Sequence, residues 1–524
     1  MSIAWPEVGG LSPLLFLGFV PLLYVEDFIS NETGRAKSRR LLPFSFTAFF
    51  TWNLLTTWWV YYASAGGMAM AVFFNSLFMA GIFSLFHWTK RKVGIKEGYI
   101  GLIIYWIGWE YWHMQWDLTW PWLTLGNGFA NDITWIQWYE YTGVFGGGLW
   151  ALTINILLFL VIKKTFLSQQ KWTTAWPILV AIVLILVGPL VTSQIIYNGY
   201  EETEDPVEIV VIQPNIDPYN EKFNGMSPAE QLDKILNLGS SMITPNTKYV
   251  VAPETALPRS LWEHKIEESA GYQGIKSFVL LNPGIQFVIG LSSKVAYYTK
   301  DEVTATSRKE RGIDVWKDYF NSAMQVDERD SVQFYHKSKL VPGVERMPYP
   351  ALFKPLETFA IDLGGSSGSM GTQEERTVFT SSEGRGIAPV ICYESIYGEY
   401  VGEYVKNGAE LIFIITNDGW WDDTPGYKQH LAYARMRAIE TRRSIARSAN
   451  TGTSCFINQR GEISQATDWW VPAALRESIN ANSHITFYVQ YGDFIARTSL
   501  LFSGLLILLT LVRTFSSKKG LNLK

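Results

Sequence analysis

Six apolar runs crowd the first 200 residues, near 11–25, 41–61, 67–88, 98–115, 139–162 and 174–197. A seventh, "DFIARTSLLFSGLLILLTLVRTF" (493–515), closes the chain. A hydrocarbon core about 30 Å thick takes roughly 20 apolar residues as a helix, so most of these runs are long enough to cross one. Backbone in such a medium must satisfy its own N–H and C=O groups, which a helix does. Residues 1–200 are therefore expected to form about six membrane helices, with one more at 493–515. The first run is short, and the fourth, "YIGLIIYWIGWEYWHMQW", carries Glu110 and His113. A carboxylate in a membrane is costly, so Glu110 is either a functional group or a side chain solvated near the interface.

The basic residues set the orientation. Arg35, Lys37, Arg39 and Arg40 follow the first run, Lys90, Arg91, Lys92 and Lys96 the third, and Lys163, Lys164 and Lys171 the fifth. Lys518, Lys519 and Lys524 lie in the tail 516–524, whereas the loops "SAGG" and 116–135 contain no Lys or Arg. Cytoplasmic loops are the Lys/Arg-rich ones. This alternation predicts residues 198–492 outside the cytoplasm, the C-terminus inside and Met1 outside.

A mean hydropathy of +0.06 is too low for a chain that is all membrane, which agrees with a polar domain between the spans. The net charge of −4 gives no sign of nucleic-acid binding. Two cysteines make no disulfide framework and have no metal-ligand spacing, so no metal is expected. The 22 tryptophans suit membrane interfaces, where an apolar ring and a polar N–H are both satisfied.

From residue 201 the texture changes. "VEIVVIQ" (207–213), "TKYVVAPE" (247–254), "FVIGLSS" (287–293), "IAPVICYE" (387–394), "ELIFIITND" (410–418) and "TSCFIN" (453–458) are expected to be buried strands. Residues 227–242 and 428–449 have the period of amphipathic helices. Such alternation predicts an α/β domain with covered sheet faces over 201–492. Residues 343–375 form a long loop, and Met347, Tyr349, Leu352 and Phe353 within it serve either lipid contact or ordinary anchoring.

Glu254 ends "YVVAPE", Lys337 follows the strand-like "SVQFYH", and Cys392 ends "APVIC". Strand ends are where an α/β sheet presents side chains to a crevice. A carboxylate beside a thiol is a general base, and an ammonium stabilises a thiolate or a developing oxyanion. Taken singly, each residue also has a structural reading, and cysteine is often a buried space-filler. Lys339 is the rival of Lys337, two residues on and on the opposite face of a continued strand. Cys455 is expected in the core, and His336 as a strand residue without a catalytic task.

The set "APETA", "YHKSKLVPGVE" and "ICYES", followed by "TNDGWW" and "HLAYARMRAIETRRSIARSANTG", resembles the nitrilase superfamily with its Glu–Lys–Cys triad. With a domain of this kind inserted between membrane helices, and with "TWPWLTLG" (119–126), the chain resembles the bacterial apolipoprotein N-acyltransferases. The resemblance implies a polytopic α-helical membrane domain plus an extracytoplasmic α-β-β-α sandwich. It implies Glu254 as general base, Cys392 as nucleophile and Lys337 as the oxyanion-stabilising cation. It adds Glu345, Tyr393 and Glu394 as supporting residues, the Tyr393 amide being an oxyanion donor. Phe223, Met347, Tyr349, Trp420 and Trp421 are the corresponding candidates for substrate or lid contacts. Two departures bear on the oxyanion site and acyl groove: "PGVE" stands for the family's "PFGE", and Phe223 for a nearby Trp. The family also has a membrane helix before the position of residue 11. Either this start is assigned late, or the chain has seven spans where relatives have eight.

The implied reaction takes an acyl chain from a phospholipid, typically phosphatidylethanolamine, to the α-amine of a diacylglyceryl-cysteine on an apolipoprotein. It is a ping-pong scheme through a thioester and uses no cofactor. The implied setting is a monomer in the bacterial inner membrane, with its catalytic domain on the periplasmic side. The rivals are an amidase-like hydrolase with the same triad and a transporter or receptor with a degenerate domain of this type.

Overall fold

The computed structural model describes all residues except 32–39, 224, 310–314, 350–368 and 519–524. Arg35, Lys37, Arg39, Leu352, Phe353, Lys519 and Lys524 lie outside the described residues. The chain divides into two compact units, Met1–Tyr200 with Tyr491–Lys524, and Glu201–Gln490.

The first unit is helical: α1 Val20–Asn31, α2 Leu41–Thr57, α3 Ala65–Lys92, α4 Ile95–His113, α5 Tyr139–Ile162 and α6 Trp176–Gly199. The run expected at 11–25 is displaced. Its first part is a 3₁₀ turn, Ser12–Phe16, with a proline at its start, and the α-helix begins only at Val20. Five helical stretches are long and apolar enough to cross a membrane: Ser12–Asn31, Ala65–Lys92, Tyr139–Leu167, Trp176–Gly199 and Phe487–Ser516. Of the other two expected spans, α2 has only 17 residues and α4 carries Lys96, Glu97 and Glu110. Glu110 is buried: its Oε1 accepts from Trp106 Nε1 at 2.9 Å and from the Leu125 amide at 2.8 Å. It ties α4 to the loop "TWPWLTLG", which removes the solvated alternative.

The second unit holds two sheets. The strands are β1 Pro206–Gln213, β2 Thr247–Val251, β3 Leu257–Trp262, β4 Gln286–Tyr297, β5 Arg308–Lys309, β6 Trp316–Val326 and β7 Gln333–His336. They continue as β8 Phe379–Thr380, β9 Gly386–Ile391, β10 Leu411–Thr416, β11 Ile445–Ala449, β12 Cys455–Ile457, β13 Ile463–Ser464 and β14 Ala473–Asn480. One sheet runs β14-β1-β2-β4-β6-β5, with β3 on β4 and β7 on β6; the other runs β13-β12-β11-β10-β9-β8. β1, β2 and β4 are parallel neighbours, as are β9, β10 and β11.

Runs such as "IVVI" are apolar on both faces because both are covered. One face of the first sheet packs Val210, Ile212 and Val250 on Ile235 of α7 (Pro228–Ser240) and on Ile275 and Val279 of α8 (Ala270–Leu281). Each fully buried aliphatic side chain there stabilises the fold by about 1.5–3 kcal/mol. The other face meets the second sheet: the Tyr249 ring lies 5.2 Å from that of Phe413, and Ser448 Oγ donates to the Ile212 carbonyl at 2.7 Å. Helices α9 (Gly398–Lys406) and α10 (Pro425–Thr441) flank the second sheet. The layering is helix, sheet, sheet, helix. The last helix, α11, spans Phe494–Lys518 and belongs to the first unit.

The helix expected over 428–449 is too long. α10 ends at Thr441, where Arg442 adopts left-handed φ 49°, ψ 46°, and residues 445–449 form β11. That strand is hidden in the sequence because Arg447, although fully buried, looks like a solvent-facing helix residue. Strands β2 and β9 stop short of Glu254 and Cys392, because Thr255 (φ 47°) and Cys392 (φ 50°) turn the chain at positive φ. The mixed-polarity strands β6 and β14 escape a reading based on apolar runs.

Candidate active site

Glu254 lies three residues beyond β2, against β4. Gly290 donates its N–H to the Pro253 carbonyl at 3.1 Å. A Cβ on Gly290 would come within 2.6 Å of Glu254 Cα, so only glycine lets the two backbones approach this closely. Lys337 extends the β6–β7 pairing by one residue, its N–H donating to the Asn321 carbonyl at 2.8 Å. These placements bring two side chains together from opposite sides of β4, Glu254 from the β2 side and Lys337 from beyond β6. Lys337 Nζ donates to Glu254 Oε1 at 2.9 Å and to Glu345 Oε1 at 2.8 Å. Asn321 Nδ2 braces the same two oxygens, at 2.7 and 3.0 Å, and the Val341 amide donates to Glu345 Oε2 at 2.8 Å.

Cys392 follows β9 in the second sheet and is 8% exposed. Its left-handed backbone costs a non-glycine residue about 1–2 kcal/mol. Its thiol lies near Thr416, which ends β10, and it feels the charges of both Glu254 and Lys337. Strand ends of both sheets thus converge on one spot.

The electrostatics assign each group a resting state. Burial alone would raise the Glu254 carboxyl, but the Lys337 ammonium, aided by Asn321 and Lys222, holds it below the usual carboxylate range. Burial would lower Lys337, yet the carboxylates of Glu254 and Glu345 outweigh it and keep the ammonium charged well above its ordinary range. Burial pushes the Cys392 thiol up and Glu254 adds to this, with Lys337 offsetting only part. The result is a neutral thiol beside an ionised carboxylate. A strong nucleophile forms there only as the proton leaves.

Glu394 has a bracing geometry. Its Oε1 accepts from the Ser338 amide at 2.7 Å, from Tyr335 at 2.6 Å and from Tyr400 at 2.8 Å; its Oε2 accepts from the Ile391 amide at 2.9 Å. One carboxylate therefore fastens the turn after Lys337 to the turn that carries Cys392. Tyr393 is buried with its ring 5.4 Å from that of Tyr397. Lys339 leaves the trio and lies over the rings of Tyr397 and Tyr400, at 4.8 and 5.8 Å. His336 is stacked on Phe320 and bonded to Glu263. Cys455 is fully buried in β12.

Of the five lid or substrate candidates, Met347, Trp420 and Trp421 have contacts of their own. Phe223 is half-buried in the turn that contains Lys222. Met347 is anchored through its amide to Ser369 Oγ at 3.2 Å, and Tyr349 is 39% exposed. Trp420 packs its ring 5.1 Å from Tyr219, and Trp421 lies 5.6 Å from His430. The sequence reading missed Asn321, Thr416 and Lys222. Lys222 is 2% exposed, and its Nζ donates to the Glu254 carbonyl at 3.2 Å and to Thr255 Oγ1 at 2.6 Å. Its signal in the sequence is slight, a lone lysine in "YNEKFNG".

Comparison with known proteins supplies the family. A model described as the apolipoprotein N-acyltransferase N-terminal domain matches residues 1–157, and a carbon-nitrogen hydrolase model matches residues 209–480. An apolipoprotein N-acyltransferase of Chlorobaculum tepidum is 31% identical over 97% of this chain and 93% of its own. One from Thermotoga maritima is 25% identical over 96% and 89%. The crystal structure of an amidase from Nesterenkonia sp. aligns with 57% of this chain and 99% of its own, at 16% identity and a TM-score of 0.37. With both family models matched in order and a full-length relative at this identity, the chain belongs to the apolipoprotein N-acyltransferase family, whose members are membrane-bound acyltransferase enzymes.

Proposed function

We propose that this enzyme moves an acyl chain from a phospholipid, with phosphatidylethanolamine as the favoured donor, to the N-terminal amine of a diacylglyceryl-cysteine on an apolipoprotein. The observation that carries the reading is the buried Lys337 ammonium held between Glu254 and Glu345, with the Cys392 thiol within their field. Asn321 and Lys337 both contact Glu254 at Oε1, which supports Oε2 as the atom that takes the thiol proton. As that proton leaves, sulfur attacks the ester carbonyl. The new oxyanion is stabilised by Lys337 and the Tyr393 amide. Collapse expels the glycerol oxygen, which recovers the proton from Glu254 and departs as lysophospholipid, leaving a thioester on Cys392. The acceptor amine then attacks that thioester. Glu254 takes a proton from the amine and returns it to the sulfur, giving the amide and free thiol.

Glu345 and Asn321 keep Lys337 aimed, and Glu394 fixes it relative to Cys392. Phe223, Met347, Tyr349, Trp420 and Trp421 are assigned to the path of the acyl chains. The placement of Lys and Arg between apolar runs supports a bacterial inner-membrane protein with residues 201–492 on the periplasmic side and its C-terminus in the cytoplasm. It works as a monomer.

The test is detergent-purified enzyme given acyl-labelled phosphatidylethanolamine, followed by intact mass, for wild type, Cys392→Ala and Cys455→Ala. A hydroxylamine-labile adduct missing only in Cys392→Ala, and discharged by a diacylated lipopeptide, is the expected result. Discharge by water alone would make the enzyme a hydrolase, and no adduct from any phospholipid would sink the reading.

A further inference from the structure

A second buried array stands directly behind Cys392. Ser395, His430, Asp418 and Arg447 are each no more than 1% exposed. Ser395 Oγ donates to the Cys392 carbonyl at 2.8 Å. His430 Nε2 lies 3.1 Å from the same carbonyl oxygen and 2.9 Å from Ser395 Oγ. A carbonyl oxygen only accepts, and the single Ser395 proton is already directed to it, so Nε2 carries the hydrogen on this side. On the other edge of the ring, Nδ1 meets Asp418 Oδ1 at 3.1 Å and Arg447 Nη2 at 3.2 Å. Asp418 is in turn held by Arg447 at 2.5 Å and by Thr416 Oγ1 at 2.7 Å. The imidazole is gripped on both edges.

The residue types are those of a nucleophilic triad, but this serine is fully buried and its proton is engaged by a backbone carbonyl. What the array acts on is that carbonyl. It belongs to the residue with φ 50° and opens the Cys392–Tyr393 peptide. Donors on a peptide oxygen draw density through the conjugated amide and make its N–H a better donor. A left-handed cysteine also keeps its geometry only where its surroundings over-determine it.

We propose that His430 and Ser395 are positioning residues for acylation: they clamp the Cys392 carbonyl and polarise the peptide whose Tyr393 N–H faces the oxyanion. Asp418 and Arg447 act one step further back by fixing the imidazole. This inference rests on the acyl-enzyme reading above. It gives a task to "TND" and "QH", two pieces of sequence that the Glu–Lys–Cys chemistry leaves without one.

Two rates on the full-length enzyme test it: Cys392 acylation by labelled phosphatidylethanolamine, and Cys392 alkylation by iodoacetamide, a reaction that builds no oxyanion. His430→Phe is expected to slow acylation by roughly 10–100-fold with the half-saturating lipid concentration unchanged. Alkylation should stay within about 3-fold of wild type, since no oxyanion donor takes part in it. His430→Gln returns an N–H and should recover most of the acylation rate. Ser395→Ala removes a single donor and should slow acylation about 3–10-fold; it carries the test if His430→Phe does not fold. Equal slowing in His430→Gln and His430→Phe, or a parallel fall in both reactions, would mean a packing role and overturn the proposal. Unchanged acylation in His430→Phe and Ser395→Ala would overturn the clamp alone. A wild type that is alkylated at Cys392 but takes up no acyl group would overturn the acyl-enzyme reading and the clamp with it.

Discussion

Lys222 is a charged side chain folded into a place that disfavours its charge. Burial pushes its ammonium down from 10.5 to about 8, with the Glu254 carboxylate offsetting part of the effect. The unfolded chain therefore binds this proton more tightly than the folded one, and stability contributed by the group rises with pH between about 8 and 10.5. A shift of this size corresponds to about 3 kcal/mol. Lys222→Met should abolish that rise, which denaturation midpoints from pH 7 to 10.5 would reveal as a slope present in the parent and missing in the variant. Glu394 is the opposite case, an acceptor saturated with donors. Glu394→Gln presents an amide N–H₂ to some of those donors. Each buried polar group left unsatisfied costs about 1–3 kcal/mol. The variant should melt lower by that order and acylate more slowly, because the link between the Lys337 and Cys392 turns is loosened. An unchanged melting curve would refute the bracing role.

The backbone elements carry the site as much as the side chains do. The approach of β4 to the Glu254 turn depends on Gly290, whose added Cβ would meet backbone atoms that cannot rotate away. Gly290→Ala is expected to cost about 1–3 kcal/mol by forcing the two segments apart. Since a displacement of about 1 Å costs on the order of 100-fold in rate, adduct formation should fall far more than the melting temperature suggests. The same elements show which sequence signals were legible. β1, apolar over Ile209 to Ile212, and β10, apolar over Leu411 to Ile415, were visible as strands covered on both faces. β11 was not, because Arg447 is neutralised by Asp418, a partner distant in sequence, and "RSIARSA" continues the helical pattern of α10. Lys337 was distinguishable from Lys339 by motif spacing. Asn321, which braces both carboxylates, gave no signal, since an asparagine in a mixed-polarity strand looks like any other.

At the scale of the whole molecule, two units with different solvents should fail under different conditions. In the α/β unit Asp418 is raised by burial but held down to about 2, chiefly by Arg447 and His430, and Glu254 too is held below its usual range. Carboxylates depressed in the fold contribute stability that is present above their unfolded values and lost as pH falls through the folded ones. Acidification from about pH 4 to about 2 should therefore open residues 201–490 first. Apolar helices in detergent keep their backbone bonds internal. Pepsin digestion near pH 2.5 should yield fragments from 201–490 while the segments 139–162 and 176–199 persist; simultaneous digestion of both would contradict this. The apolar helical runs, the α/β texture between them and the short list of reactive side chains are legible in the residues alone. These are local properties, set by hydropathy, by period and by residue chemistry at strand ends. It takes the folded chain to show that Lys337 is held by two carboxylates, that Lys222 and Asn321 join them, and that Glu394 and His430 contact the cysteine turn. Those contacts link residues up to 83 positions apart, and their strength comes from burial that no stretch of sequence has alone.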